Sequence, residues 1–444
     1  MTLAIVLLSG ILSTMDPVPS TKNMPVPVRD PSAALRIPAY RLFAVSQLCV
    51  VISAQIQSLA LGWELYKRTN SLMSLAWIGL VQFLPGVPVM LWAGHAADRF
   101  DRRLIVIISL VVSLFCGLSL AALSYTQYSI PLMYLCVMVR SMGSAFGRPA
   151  RQALLPQLVP ADLFTNAVTW NSTNFQLGLV AGPALGGLIV KTSIPLAYLA
   201  DSACVALSVI LMLMLKCGPV TRTPSRVSLD SLGAGIAFVW RTKVILAALT
   251  LDLFAVLLGG ATALFPVFAK DILHVEAQGL GWLGAAPAFG SVAMAMLLTH
   301  LPLKNAGRTL LWMVAGFGAA TIMFGLSTSF PLSLFFIFLT GACDNISVVV
   351  RGTLVQLMAP DAMRGRVSAV NGLFIGASNQ LGAFESGAVA YLFSDYLGYG
   401  HVAGARISVV SGGIGTLLVV AAVALLWPQL ARVGALHEVK PEVV

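Results

Sequence analysis

Charge is what this sequence has least of. Its 444 residues include 17 acidic and 27 basic side chains, 10% in all, against 58% hydrophobic residues and a mean hydropathy of +0.89. A soluble core cannot absorb that much apolar surface, so a soluble fold is excluded and an all-α polytopic membrane protein is expected. Cysteine is sparse as well: Cys49, Cys116, Cys136, Cys204, Cys217 and Cys343 stand singly, with no C-x-x-C pair to suggest metal or redox work. The five histidines are dispersed, and neither H-E-x-x-H nor G-x-S-x-G occurs, so an intramembrane enzyme is not expected. No G-x-x-x-x-G-K-[ST] loop is present to cradle ATP. Metal and cofactor are therefore both expected to be none. The net charge of +10 is scattered through turns rather than gathered on a stripe, which argues against nucleic acid as a partner.

What the sequence has instead is a succession of apolar runs, each able to cross a ~30 Å hydrocarbon core at ~1.5 Å per residue. They predict spans near 40–65, 72–96, 103–124, 130–153, 166–190 and 195–216, then 244–269, 278–300, 308–328, 331–357, 367–393 and 403–427. Twelve transmembrane helices result, six and six. The expected organisation is a flexible N-terminal tail (1–36), a six-helix half (37–216), a linker (217–243), a second six-helix half (244–428) and a C-terminal tail (429–444). Within the linker Leu229, Leu232, Ile236 and Val239 recur at helical spacing, which fits a helix lying on the membrane surface or a long lead into the seventh span. Met1 to Ser13 is apolar but too short to span, and Met15 and Met24 are alternative starts of translation.

The basic residues orient the bundle. With Arg351 counted on the side of both tails, 21 of the 27 fall there, five fall opposite, and Arg140 lies inside a span. The positive-inside rule then predicts cytoplasmic termini in a plasma (bacterial inner) membrane.

Between the second and third spans lies the densest polar loop, Gly94-His95-Ala96-Ala97-Asp98-Arg99-Phe100-Asp101-Arg102-Arg103. A polar turn between two helices needs charge in any case. Its spacing, G-x-x-x-D-R-x-x-R-R, nevertheless resembles the signature loop of the major facilitator superfamily. Asp101 stands where the general pattern has glycine, and Asp-Arg-Phe-Asp-Arg-Arg is similar to the enterobactin exporter branch. The resemblance implies that Gly94 lets two helices approach closely and that Asp98, Arg99, Arg102 and Arg103 form a charge cluster gating the cytoplasmic side.

An internal repeat of about 200 residues supports two parallel halves. Arg151, Leu154, Pro160 and Asn171 match Arg351, Leu354, Pro360 and Asn371; Gln176-Leu177-Gly178 matches Gln380-Leu381-Gly382; Trp77-Ile78-Gly79 matches Trp282-Leu283-Gly284. His95 and Arg103 meet His300 and Arg308, while Asp98 falls on Leu303, so the second copy lacks the acidic residue. In the fifth span Gly178, Gly182, Pro183, Gly186 and Gly187 form a run of small residues. It resembles the glycine-proline motif of proton-coupled exporters and serves equally as ordinary close helix packing.

Charges inside spans are costly, roughly 2.5–3.5 kcal/mol each on insertion scales, and so mark candidate sites. They are Arg140, Asp201, Asp252, Asp344 and Glu385, with Glu64 near the end of the first span and close to bulk water. In the superfamily, spans 1, 4, 7 and 10 line the cavity. Arg140, Ser144 and Arg151 share one helical face, as do Thr340, Asp344, Ser347 and Arg351, and Gln55, Ser58 and Gly62 follow helical spacing on the first span. Because Ser144 corresponds to Asp344, the two faces are expected to turn toward one axis, where Arg140 and Asp344 could balance each other or a substrate. Asp201 reads as structural.

The resemblance implies a secondary active transporter, proton-coupled, exporting a small organic solute of siderophore-like or drug-like character by alternating access. Uptake of a nutrient is the alternative within transport, and a non-transporting receptor or scaffold the alternative outside it. The expected partners are the solute, protons and the lipid bilayer, and the expected state is a monomer.

Overall fold

The computed structural model describes residues 32–85, 99–216, 229–300 and 304–435, together with Asp30 and Val89. Among them there is no strand. The helices of the bundle are α1 (Pro38–Thr69), α2 (Leu72–Phe83), α3 (Arg102–Thr126), α4 (Ile130–Leu158), α5 (Phe164–Thr192) and α6 (Ile194–Met214). After a separate helix, Leu229–Arg241, come α7 (Lys243–Ile272), α8 (Ala277–Leu298), α9 (Ala306–Leu326), α10 (Phe330–Met358), α11 (Asp361–Tyr391) and α12 (His401–Leu426). Ten of these are long and apolar enough to cross a membrane. The other two are α2, whose described part is short, and α11, which has the length but carries Asn371, Asn379, Gln380 and Glu385.

Local chemistry sets the helix ends. Pro38, Pro131, Pro195 and Pro331 occupy first turns, where a missing N–H costs nothing. Asn70 and Gln127 close α1 and α3 in the left-handed conformation. Asp101 is the N-cap of α3, accepting from the amides of Arg103 at 2.8 Å and Leu104 at 3.5 Å. That accounts for an aspartate at the position where the resembled loop has glycine. The linker helix ends before Thr242, so it is separate from α7 rather than a lead into it. α7 itself breaks at Gly260, whose carbonyl accepts from Ser386 Oγ of α11 at 2.9 Å.

Helices of the two halves meet along α2 with α11 and α5 with α8. The repeat shows its physical purpose here. A Cβ on Gly79 would lie 2.5 Å from the Gln380 carbonyl of α11, and one on its counterpart Gly284 would lie 2.9 Å from Pro183 of α5. Gly178 packs on Val51 of α1, and Gly382 on Val256 and Leu257 of α7. Each repeated glycine thus serves the contact equivalent to its counterpart's.

These contacts hold one end of the bundle shut, the end carrying Asn70, Ser193, Val275 and Gly400. Tyr66, Leu72 and Leu75 join Phe265, Phe268, Leu283 and Phe324 in one buried apolar cluster there, and Lys191 meets Glu276 at 3.0 Å. Toward the opposite end, the described residues do not continue this contact along α11. Residues 365, 372, 376, 383 and 387 share a face of α11 at steps of seven and four. At Gly387 a Cβ would lie 2.7 Å from that of Ala76, whereas Gly365, Gly372 and Gly376 have nothing within 4 Å among the described residues. Outside the bundle, Phe115, Trp312, Leu418 and Leu425 are exposed, as lipid-facing residues should be, and Tyr125, Tyr128, Tyr396 and Tyr399 ring the closed end.

The back-to-back pair Gly187 and Gly281 makes this closure testable, since a Cβ on Gly187 would sit 2.7 Å from Gly281 Cα. Gly187→Leu should insert normally, lose transport, and leave a thiol placed at Gln55 reachable by a membrane-impermeant maleimide from the closed side. An unreactive thiol would mean that the closed end tolerates the wedge.

Candidate functional site

The intramembrane charges are met half by half. Arg140 of α4 binds Asp201 of α6 in a two-pronged ion pair, Nη1 to Oδ2 at 2.6 Å and Nη2 to Oδ1 at 2.9 Å. Arg140 Nη2 also reaches Ser53 Oγ of α1 at 2.8 Å, and that hydroxyl donates to Asp201. Asp201 is fully buried, and Gly117 of α3 leaves it room: a Cβ there would lie 2.9 Å from its carboxylate. The expected pairing of Arg140 with Asp344 is therefore corrected. A bidentate guanidinium–carboxylate pair fixes both partners, and it ties α1, α4 and α6 together within one half.

In the other half Arg351 of α10, 2% exposed, forms an ion pair with Asp252 of α7. This also corrects the placement of Arg351 among the solvent-side basic residues. Removing one charge from that side leaves the bias strongly one-signed. Asp344 lies two turns before Arg351 and lines a small pocket with Asp252, Ala255, Val256, Val314, Phe317 and Ser347. Its face thus packs against α7 and α9 inside its own half rather than meeting the Ser144 face. Among the described residues Asp344 has no cationic partner.

Glu64 is 1% exposed, contrary to the expectation that it sits close to bulk water. It accepts from Ser124 Oγ at 2.8 Å and pairs with Arg68 at 2.6 Å. Ser144 Oγ donates to the Ser141 carbonyl at 2.9 Å, and Gln55 packs its stem against Gly182. On α11, residues 380, 384 and 387 face α2, and 382 and 386 face α7, whereas Gly404 of α12 meets Ala390 and Ser394. Glu385 lies off all these strips, half-buried and without a cationic partner among the described residues.

Of the signature loop, Gly94 and Asp98 lie outside the described residues, as does the rest of the second span. Arg102 Nη1 donates to the Ala153 carbonyl of α4 at 3.1 Å. Arg103 donates to the Met212 and Leu213 carbonyls at the end of α6, at 3.0 and 2.7 Å. These arginines staple α3 to its neighbours. The helix-5 residues Gly178, Gly182, Gly186 and Gly187 bring α5 against α1 and α8, with Pro183 buried among them.

Two pairs escape sequence reasoning, Arg140 with Asp201 and Arg351 with Asp252. The available signal was that each half carries both signs within its spans, so neutrality can be reached without crossing the interface.

Comparison with known proteins bears on all of this. The family model described as Major Facilitator Superfamily matches residues 43–383. The chain is 26% identical over 353 residues to the multidrug efflux pump Tap of Mycolicibacterium fortuitum, covering 76% of this chain and 85% of that one. It is 26% identical over 342 residues to the enterobactin exporter EntS of Escherichia coli O1:K1 / APEC, covering 75% and 80%. In fold it is similar to a bacterial homolog of the human lysosomal transporter Spinster in an inward-facing, unoccupied conformation, with TM-score 0.66 and 16% identity over 89% of this chain and 97% of that one. It is also similar to a D-xylose-proton symporter, with TM-score 0.65 and 15% identity over 92% and 98%.

Proposed function

We propose, from the premise that this chain belongs to the major facilitator superfamily and is a multi-pass membrane transporter, that it is a proton-driven exporter of a small organic solute. The observation that carries the proton is that neither Asp344 nor Glu385 has a cationic partner among the described residues. The other carboxylates buried within the spans, Glu64, Asp201 and Asp252, are each held by an arginine. A carboxylate without a counter-charge can take up and release a proton without stranding a buried cation. Asp344 beside its small pocket is the leading carrier. Direction and cargo rest on the similarity to the enterobactin exporter and to a multidrug efflux pump.

The two halves, 37–216 and 244–428, would rock about the contacts of α2 with α11 and α5 with α8, with 217–243 joining them on the surface and 1–36 and 429–444 as tails. The end opposite the closed one carries Arg99, Arg102, Arg148, Arg364 and Arg366, which the positive-inside rule assigns to the cytoplasm, with both termini, in a bacterial inner membrane. The protein would work as a monomer, since each monomer contains both halves of the cavity.

Inverted membrane vesicles with an acid interior provide the test, with ethidium and a labelled catecholate siderophore as probes. Accumulation of either, abolished by nigericin, is the expected result. Accumulation only under the reversed gradient would make the protein an uptake carrier, and no gradient-dependent flux of either would overturn the export reading.

A further inference from the structure

A directed chain of polar contacts crosses the closed end. Asn70, held in the left-handed conformation at φ 46° beyond α1, is its centre. Its Oδ1 accepts from Lys270 Nζ of α7 at 3.2 Å, and its Nδ2 faces His401 Nδ1, the first residue of α12, at 3.5 Å. On its other side His401 Nε2 stands 3.6 Å from Asp395, beyond the end of α11. Lys270, His401 and Asp395 belong to one half and Asn70 to the other, so both of the amide's bonds join the halves.

Chemistry sets the direction of this chain. An ammonium has only donors, so the Asn70 oxygen must face Lys270 and its NH2 must face His401. The imidazole Nδ1 must then accept, which places the single ring proton on Nε2, toward Asp395. Adding a proton at Nδ1 sets a donor against a donor. Turning the amide around rescues the histidine contact but brings the NH2 against the lysine. Either way one bond between the halves is lost, and the attraction gained toward Asp395 lies within a single half and holds nothing shut.

Solvent reaches the ring through a depression of about 560 Å³ lined by Asn70, Asp271, Tyr399, His401 and Arg406. The charged and titratable groups around it are Asp395 and Tyr399 from the α11 end, Lys270 and Asp271 from α7, Tyr66 from α1, and Arg406 one turn along α12. Tyr66 donates to Asp271, and Lys270 sits 5.0 Å over the Tyr66 ring, so these form a second link between the halves that contains no imidazole.

We propose that His401 is a proton-sensitive element of the closed end: its neutral ring completes the Lys270–Asn70–His401–Asp395 chain, and protonation from the solution on that side loosens the closure. Acid on that face then favours opening toward it, whichever way the solute travels. A carrier that admits protons there would expose its cavity where protons are abundant.

The full chain, freed of native cysteines and labelled at Tyr128→Cys and Thr328→Cys, reports the separation of the halves at this end by pulsed electron paramagnetic resonance. Lowering the pH from 8 to 5, the interval in which imidazole commonly takes its proton, should raise the open-to-closed ratio roughly three- to tenfold, the worth of one net hydrogen bond. His401→Gln should remove that response. Asn70→Asp, which can accept from both lysine and protonated imidazole, should reverse its sign. A parent that does not respond, a His401→Gln variant that responds fully, or an Asn70→Asp variant that opens in acid as the parent does would each overturn the proposal.

Discussion

Arg140→Ala should destabilise the helical body by about 3–5 kcal/mol, the typical cost of stranding one member of a buried ion pair. The stranded group is Asp201, fully buried and left with Ser53 as its hydrogen-bonding partner. Asp201→Ala should cost a similar amount, because it leaves the guanidinium of Arg140, 12% exposed, without its carboxylate. The double variant should lose clearly less than the sum of the two, since removing both charges leaves nothing unpaired. The same cycle between Arg140 and Asp344 should be additive, because those residues share no interaction. Thermal unfolding of detergent-purified variants measures both cycles. Additivity for Arg140 with Asp201, or coupling for Arg140 with Asp344, would contradict the pairing described here.

How much of this was legible beforehand depends on the kind of information involved. Apolar runs and turns reveal helices because a membrane requires every backbone group to be bonded within its own segment, and ten helices meet the length and composition that this demands. α11 is less apolar because it carries Asn371, Asn379, Gln380 and Glu385, of which Gln380 lies against Gly79 of α2. The repeat was legible too, and the structure gives it meaning through Gly79 and Gly284 at equivalent crossings.

Pairing was not legible. Residues at equivalent repeat positions need not touch, and a helical face has two sides on which a neighbour can lie. Thr340, Asp344, Ser347 and Arg351 do share a face of α10, as their spacing says, yet that face meets α7 and α9 rather than the opposite half. Burial was misjudged for the same reason. Glu64 lies within two turns of a helix end, but Arg68, one turn along the same helix, and Ser124 of α3 enclose it, and only tertiary packing brings Ser124 there.

Asp344→Asn should insert and unfold as the parent does, yet transport solute no faster with a pH gradient than without one. Asp252, Asp344 and Glu385 are the three acidic candidates along the C-terminal half, and geometry separates them. Protonating or amidating Asp252 would strand Arg351, 2% exposed, so Asp252→Asn should appear first as lost stability, restored in part by pairing it with Arg351→Gln. Asp344 and Glu385 carry no such obligation. Glu385 stands on α11, where Gly387 and Gly382 pack against α2 and α7, so a proton there would feel the rocking of the halves directly. Asp344 lies deeper, sharing its pocket with Asp252 and Ser347, and a proton on it changes the net charge beside the Arg351 pair from negative to neutral. That change can reach α7, whose break at Gly260 lies two turns further along and is tied to α11 through Ser386. Gradient-driven flux in proteoliposomes, measured beside solute exchange at equal pH on both sides, distinguishes coupling from binding. Asp344→Asn should retain exchange and lose the gradient response, and Glu385→Gln should weaken the response without abolishing it. Full gradient response in both variants would show that the proton travels by neither residue.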